Sequence, residues 1–190
     1  MAAALREAQL KAASDGAKQF VDNYYICLNG SSQPLRTFYA SSNAKYTSCA
    51  QPVTSDITVN GAVLTGGPDE YESMIKAQRQ TPSGIETKVR YEVEGWDVHI
   101  LNPDFTLACP ENLLTPTDPD AKPDRRTKDN IKASLLLQVT GMISYGGDKE
   151  APRSMFNDVF VLVPNWDTYV KNPARHARKW LVMSQNFRAL

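Results

Sequence analysis

The sequence predicts an α+β fold in which helices come first and long antiparallel strands follow. The N-terminal part carries one-sided apolar stripes spaced by threes and fours, as amphipathic helices require. The last third, Lys132 to Leu190, reads as three long strands ending in Trp180-Leu-Val-Met-Ser-Gln-Asn-Phe-Arg-Ala-Leu190. Strands of that length present two faces, and the few helices of a 190-residue chain cover only one. The uncovered face is where function is to be sought.

Composition narrows the classes. The chain is 42% hydrophobic, with 21 Lys plus Arg balanced by 21 Asp plus Glu, which suits one globular domain over 1–190. No net field draws it to nucleic acid or an anionic membrane. Cys27, Cys49 and Cys109 lie far apart and form no CxxC, so neither a metal site nor a disulfide framework is expected, and a reducing compartment fits. Charge interrupts the N-terminus within its first six residues, and no run reaches transmembrane length. A soluble intracellular protein without cofactor, membrane partner or small-molecule substrate is the expectation.

Leu10, Ala13, Ala17, Phe20, Tyr24 and Cys27 form one stripe on a helix from about Ala4 to Leu28, stopped by Asn29-Gly30. Ser32-Gln-Pro34 offers a cap and an early proline for a short second helix carrying Leu35, Phe38 and Tyr39. Lys45 to Cys49 reads as a short strand. Ile57 to Leu64 contains Asn60-Gly61 between β-branched and apolar residues, a strong hairpin signal. Gly67-Pro68-Asp69-Glu70 opens a third helix with face Tyr71, Met74, Ile75 and Gln78, and Thr81-Pro82 with Gly84 ends it.

From Ile85 the period becomes two. Val89, Tyr91 and Val93 alternate with charged residues, and Gly95 suggests a bulge before Trp96, Val98 and Ile100. Asn102 to Asn130 differs in kind: five prolines, six acids, four bases and little apolar periodicity mark a loop insertion between strands. Strands resume over about Lys132–Tyr145, Arg153–Val163 and Arg178–Phe187.

Parity divides these strands. Leu135, Leu137, Val139, Gly141, Ile143, Phe156, Phe160, Leu162 and Phe187 form a large apolar set that suits packing under helices. The opposite set is Leu136, Gln138, Thr140, Met142, Met155, Asn157, Val159, Val161, Val182, Ser184 and Asn186, eleven positions without a charge. A wet sheet side would carry Lys, Glu and Thr; methionine, aliphatic and amide side chains suit a protein interface instead. A stable partner would bury roughly 800 Å² there.

Four motifs in order carry a resemblance. Phe20-Val-Asp-Asn-Tyr24-Tyr25 resembles the first-helix "F-x-x-x-Y-Y" of the nuclear transport factor 2-like family, and Leu35-Arg-Thr-Phe-Tyr39 its second-helix "L-x-x-x-Y". Ser154 to Leu162 resembles its "F-x-x-x-F-x-L" strand, and Trp180 with Asn186-Phe187-Arg188 its C-terminal "W…F-R". The resemblance covers nearly the whole chain except Asn102–Asn130 and part of the N-terminus. It implies a cone-shaped fold, with helices packed on a strongly curved antiparallel sheet whose outer face pairs with another subunit. It also implies that Arg188 reaches an acidic residue of that partner.

Within the family, the insertion and the Ser-Gln-Asn-Phe-Arg ending are similar to the small subunits of fungal mRNA export receptors. That similarity implies a non-enzymatic adaptor that pairs with the nuclear transport factor 2-like domain of a large subunit. Further implications are contact with phenylalanine-glycine nucleoporins through the heterodimer, export of mRNA and pre-ribosomal large subunits, and shuttling between nucleus, pore and cytoplasm.

Other functions have their own residues. A cone-pocket dehydratase or isomerase would draw on Tyr24, Tyr25, Tyr39, Asp56, Asp158 or His99, with Asp158 on the helix side and a hydroxyl from Tyr24 or Tyr39 as its partner. A homodimeric import carrier of a small GTPase would use Asp148 and Glu150, but Lys149 between them departs from the family's acidic pattern. Lys122, Arg125, Arg126 and Lys128 in the insertion are candidates for RNA or ribosome contact, although Asp118, Asp120, Asp124 and Asp129 interleave them. Arg175, His176, Arg178 and Lys179 form a second basic cluster, and Trp166 with Tyr169 could line a pocket for phenylalanine-glycine repeats.

Overall fold

The computed structural model describes residues 2–30, 33–80, 84, 86–114, 131–147, 150–170, 172–175 and 177–190, and for residues 2–5 the backbone alone. Helix α1 spans Ala2–Leu28. The predicted stripe is its buried face from Ala13 onward, whereas Leu10 is 50% exposed because burial against the core begins only at the next turn. Gly16 in mid-helix is required by packing: a Cβ there would stand 2.2 Å from Trp180 Nε1. The helix ends as expected, with Gly30 at φ 114° and the Asn29 and Gly30 amides bonded to the Tyr25 and Cys27 carbonyls.

After Pro34 a single 3-10 turn, Leu35–Phe38, buries Leu35 and Phe38; the proposed Ser32 cap lies outside the described residues. Lys45–Cys49 is not a strand. Helix α2 spans Ala44–Thr47, because the Asn43 side chain caps it by accepting from the Lys45 amide at 3.0 Å. Tyr46 is fully buried and donates to the Pro164 carbonyl at 2.7 Å.

Strands β1 (Asp56–Val59) and β2 (Ala62–Val63) form the hairpin, with Asn60 and Gly61 at φ 50° and 86° as a type I′ turn demands. Helix α3, Gly67–Ala77, buries Tyr71 and Ile75, and the Tyr91 hydroxyl donates to the exposed Gln78 just beyond it. The predicted stop at Thr81-Pro82 lies outside the described residues.

Strands β3 (Val89–Asn102), β4 (Ser134–Tyr145), β5 (Arg153–Pro164) and β6 (Trp180–Ala189) complete a six-stranded, unclosed sheet in the order β2-β1-β6-β5-β4-β3. All neighbours are antiparallel except β1 and β6, which run parallel from Asp56↔Ser184 to Val59↔Phe187. The bulge predicted at Gly95 is present: Val93 faces Gly141 while Gly95 faces Thr140, leaving Glu94 over. A second bulge in β6 sets Val161 opposite Ser184 but Leu162 opposite Val182, leaving Met183 over. Both bend the sheet around the helices. Among the described residues no helix is long and apolar enough to cross a membrane.

The concave side holds the main core. Phe20 meets Phe160 edge-on at 5.3 Å, and Phe156 stacks on Phe187 at 5.8 Å. Gly141 permits this closeness, since a Cβ there would stand 2.7 Å from the Phe156 ring and closer still to the Glu92 carbonyl.

The described part of the insertion, residues 102–114, is not an open loop. This first half folds back over one end of the convex side, through the short helix α4 (Glu111–Leu114). There Phe105, Leu107, Cys109 and Leu113 pack on Val163, Leu181, Tyr46 and Trp166 as a second core. Trp166 Nε1 donates to the Leu107 carbonyl at 2.9 Å, and the Tyr169 hydroxyl donates to the Ile131 carbonyl at 2.6 Å.

Candidate partner interface

The convex face of β4, β5 and β6 forms a regular lattice. Leu136, Val161 and Ser184 make one cross-strand row; Gln138, Val159 and Asn186 the next; Thr140, Asn157 and Arg188 a third; Met142 and Met155 a fourth. Strands β6 and β1 extend two rows to Asp56 and Thr58. These side chains are half-buried or exposed, Met155 at 54%. Near the centre, the Asn157 Oδ1 is buried and accepts no hydrogen bond from the described residues. Such an oxygen carries a desolvation cost that a donor would remove.

One predicted member is misplaced. Val182 is fully buried in the concave core and bridges to Tyr39. Strict alternation put it on the convex face, but the β6 bulge reverses the parity N-terminal to Met183. Sequence reasoning also missed the flank supplied by β3. His99 faces Leu136, Asp97 faces Gln138 and Glu92 faces Met142, and His99 Nε2 lies 3.1 Å from Asp97 Oδ2. The neutral lattice is therefore edged by charge along β3, and by Arg188 on β6.

The catalytic candidates separate. Asp56 is exposed and His99 lies on the convex side, so neither joins the cone interior. Tyr24, Tyr25, Tyr39 and Asp158 do meet there, all essentially buried. The partner of Asp158 is Tyr25, whose hydroxyl donates at 3.1 Å, rather than Tyr24 or Tyr39. Gln185 organises the rest. Its Nε2 donates to both Asp158 oxygens at 3.1 and 2.9 Å, while its Oε1 accepts from Tyr39 at 2.5 Å and lies 3.2 Å from the Tyr24 hydroxyl.

Gln185 was legible in principle, since it shares the parity of Phe187. Burial pushes Asp158 up to about 7, against the lowering effect of its Gln185 and Tyr25 hydrogen bonds. Burial likewise raises Tyr24, Tyr25 and Tyr39 well above the ordinary phenol value. Packed among Phe20, Phe38, Phe156 and Phe160, these groups act as a satisfied polar clasp joining α1, β5 and β6.

Trp166 cannot line a surface pocket: it is fully buried beneath Phe105. Lys122, Arg125, Arg126, Lys128, Asp148, Lys149 and His176 lie outside the described residues. Among the described residues no cluster of three or more His, Cys, Asp or Glu side chains could hold a metal ion.

Solved structures resemble this arrangement closely. A chain of the complex of a Sac3N peptide bound to Mex67:Mtr2 superposes with TM-score 0.78 at 35% identity, over 94% of this chain and 99% of that one. A chain of the Chaetomium thermophilum Mex67 NTF2-like domain complexed with Mtr2 matches with TM-score 0.76 at 35% identity, with the same coverage. The structure of Mtr2 gives 0.74 at 33%, again over 94% and 99%. The chain belongs to the Mtr2 family of nuclear transport factor 2-like proteins. No protein-family model and no curated protein sequence matches it. Membership in the Mtr2 family accounts for the curved, unclosed sheet and the helices packed in its concavity.

Proposed function

We infer that this chain is the small adaptor subunit of a heterodimeric mRNA export receptor, pairing through its convex face with the NTF2-like domain of a Mex67-type large subunit. The carrying observation is the uncharged lattice around Asn157, on a chain whose relatives include Mtr2 complexed with that domain. The interface comprises Leu136, Gln138, Thr140, Met142, Met155, Asn157, Val159, Val161, Ser184, Asn186 and Arg188. Arg188 stands ready for a partner carboxylate, and the whole chain, insertion included, works as one domain.

The adaptor performs no catalysis. Asp158, the one acid inside the cone among the described residues, is fully buried and hydrogen-bonded on both oxygens, so no substrate reaches it. Shuttling through the pore, contact with phenylalanine-glycine nucleoporins, carriage of pre-ribosomal large subunits and RNA contact by Lys122, Arg125, Arg126 and Lys128 belong to the same reading. Reversing Arg125, Arg126 and Lys128 to Glu is expected to weaken RNA binding and leave subunit pairing intact; unchanged RNA affinity removes that contact.

Light scattering tests the pairing. The chain alone is expected to aggregate or dissolve poorly, and to form a clean one-to-one complex when mixed with the large subunit's NTF2-like domain. Val159→Asp is expected to abolish the complex while the variant still unfolds cooperatively. A stable homodimer that ignores the large subunit would support the GTPase-carrier alternative, and a well-behaved monomer would refute the interface.

A further inference from the structure

On the concave side, away from the pairing face, a groove of about 460 Å³ runs between α1 and the segment entering β6. Phe20, Phe38 and Trp180 form its floor, and Arg175, Arg178 and Lys179 line one side. Among the described residues no carboxylate lines it, although the chain as a whole is neutral, so the groove is a local surplus of positive charge.

Arg178 is held in place. Its Cζ lies 3.7 Å from the Phe38 ring centroid and its Nη2 donates to Gln33 Oε1 at 2.6 Å. Its Nε is buried and finds no acceptor among the described residues. The guanidinium is thus half-buried and already oriented, which lowers the ordering cost of receiving an anion. Ile26, 65% exposed, stands at the rim, and the Asn23 amide lies on the α1 side.

We propose that this groove docks an acidic linear peptide segment of another protein, its carboxylates on Arg175, Arg178 and Lys179 and one aliphatic side chain against the exposed Ile26 at the rim. Charge complementarity selects the peptide, and the state of the aromatics selects against single-stranded RNA. A base needs a free ring face, but Arg178 covers the face of Phe38, and Trp180 is 5% exposed with its indole nitrogen set against Gly16. Because α1 lies on the opposite side of the sheet from the convex lattice, docking here is compatible with subunit pairing and independent of it.

Fluorescence anisotropy on the full chain tests the site. The probe is a short fluorescein-labelled peptide with aspartates and glutamates flanking one leucine. It is expected to bind saturably, and to weaken as salt rises from ~50 to ~200 mM. The double variant Arg175→Glu/Lys179→Glu, both at exposed or half-exposed positions, is expected to weaken binding at least about tenfold, while Lys88→Glu, outside the groove, leaves it unchanged. Arg178→Ala is expected to act in the same direction, with circular dichroism confirming its fold. Equal affinity for the same peptide carrying asparagine and glutamine, or no loss in the double variant, overturns the proposal. So does tighter binding of a uridine oligonucleotide, or absence of peptide binding.

Discussion

The two ends of the convex sheet face share strands and chemistry but not fate. At one end Val163 and Leu181 are buried beneath Trp166, Tyr46 and the first half of the insertion, which the chain folds over itself. At the other end Val159, Val161 and Met155, on the same strand and the same side, have no such cover among the described residues. The closed end shows what completing this surface takes: aromatic side chains and backbone carbonyls that accept from Trp166 and Tyr169. Under the proposed pairing, equivalent cover at the open end is supplied by the large subunit.

That contrast is sharpest two residues apart on β5. Val163→Asp would place a carboxylate in the second core without a partner and is expected to destabilise the chain by more than about 3 kcal/mol in urea unfolding. Val161→Asp is expected to change stability by under about 0.5 kcal/mol and yet to abolish subunit pairing. Comparable destabilisation by both would mean the open end is already closed within the chain. Trp166→Ala, which removes the centre of the closed end, is expected to cost about 3–5 kcal/mol, read as a lowered thermal midpoint without loss of pairing specificity.

Asp158 gives a smaller effect that separates the interior clasp from either end. Its value of about 7 in the folded chain exceeds the ~3.9 of an unfolded aspartate, so the native state holds the proton more tightly. The resulting stabilisation is complete below the unfolded value and is lost as pH rises through about 7. The urea midpoint is therefore expected to fall as pH rises from about 4 to about 7, and Asp158→Asn to flatten that dependence. An unchanged slope in the variant would assign the pH response to other groups. The smallest expected change is Arg188→Ala: at most about 1 kcal/mol of pairing affinity, diminishing at high salt, with stability unaffected.

Features encoded by near neighbours were legible. The α1 stripe from Ala13 to Cys27, the Asn60-Gly61 turn, the Gly95 bulge and the alternation of Leu135 to Ile143 each follow from contacts or dihedrals a few residues apart. Ten of the eleven uncharged positions stand on the convex face for the same reason: a pleat turns every second side chain outward. The eleventh, Val182, failed because one unpaired residue inverts the pleat, and nothing around Met183 in the sequence marks a bulge. Lys45–Cys49 failed differently, since β-propensity lost to the Asn43 cap and to the burial of Tyr46 against β5.

The sequence by itself determined the fold class, the order of the long helices and strands, the family resemblance and the ten uncharged convex positions on β4, β5 and β6. All of these are written in local periodicity and in which residue types recur at it. Only the tertiary structure decided that β1 runs parallel to β6, that Gln185 and Tyr25 hold Asp158, that the first half of the insertion closes one end of the convex face, and that Arg178 lies on Phe38 in a basic groove. Each of those joins side chains distant in the chain, and such pairings are chosen by packing the whole molecule at once, not by the preferences of any one segment.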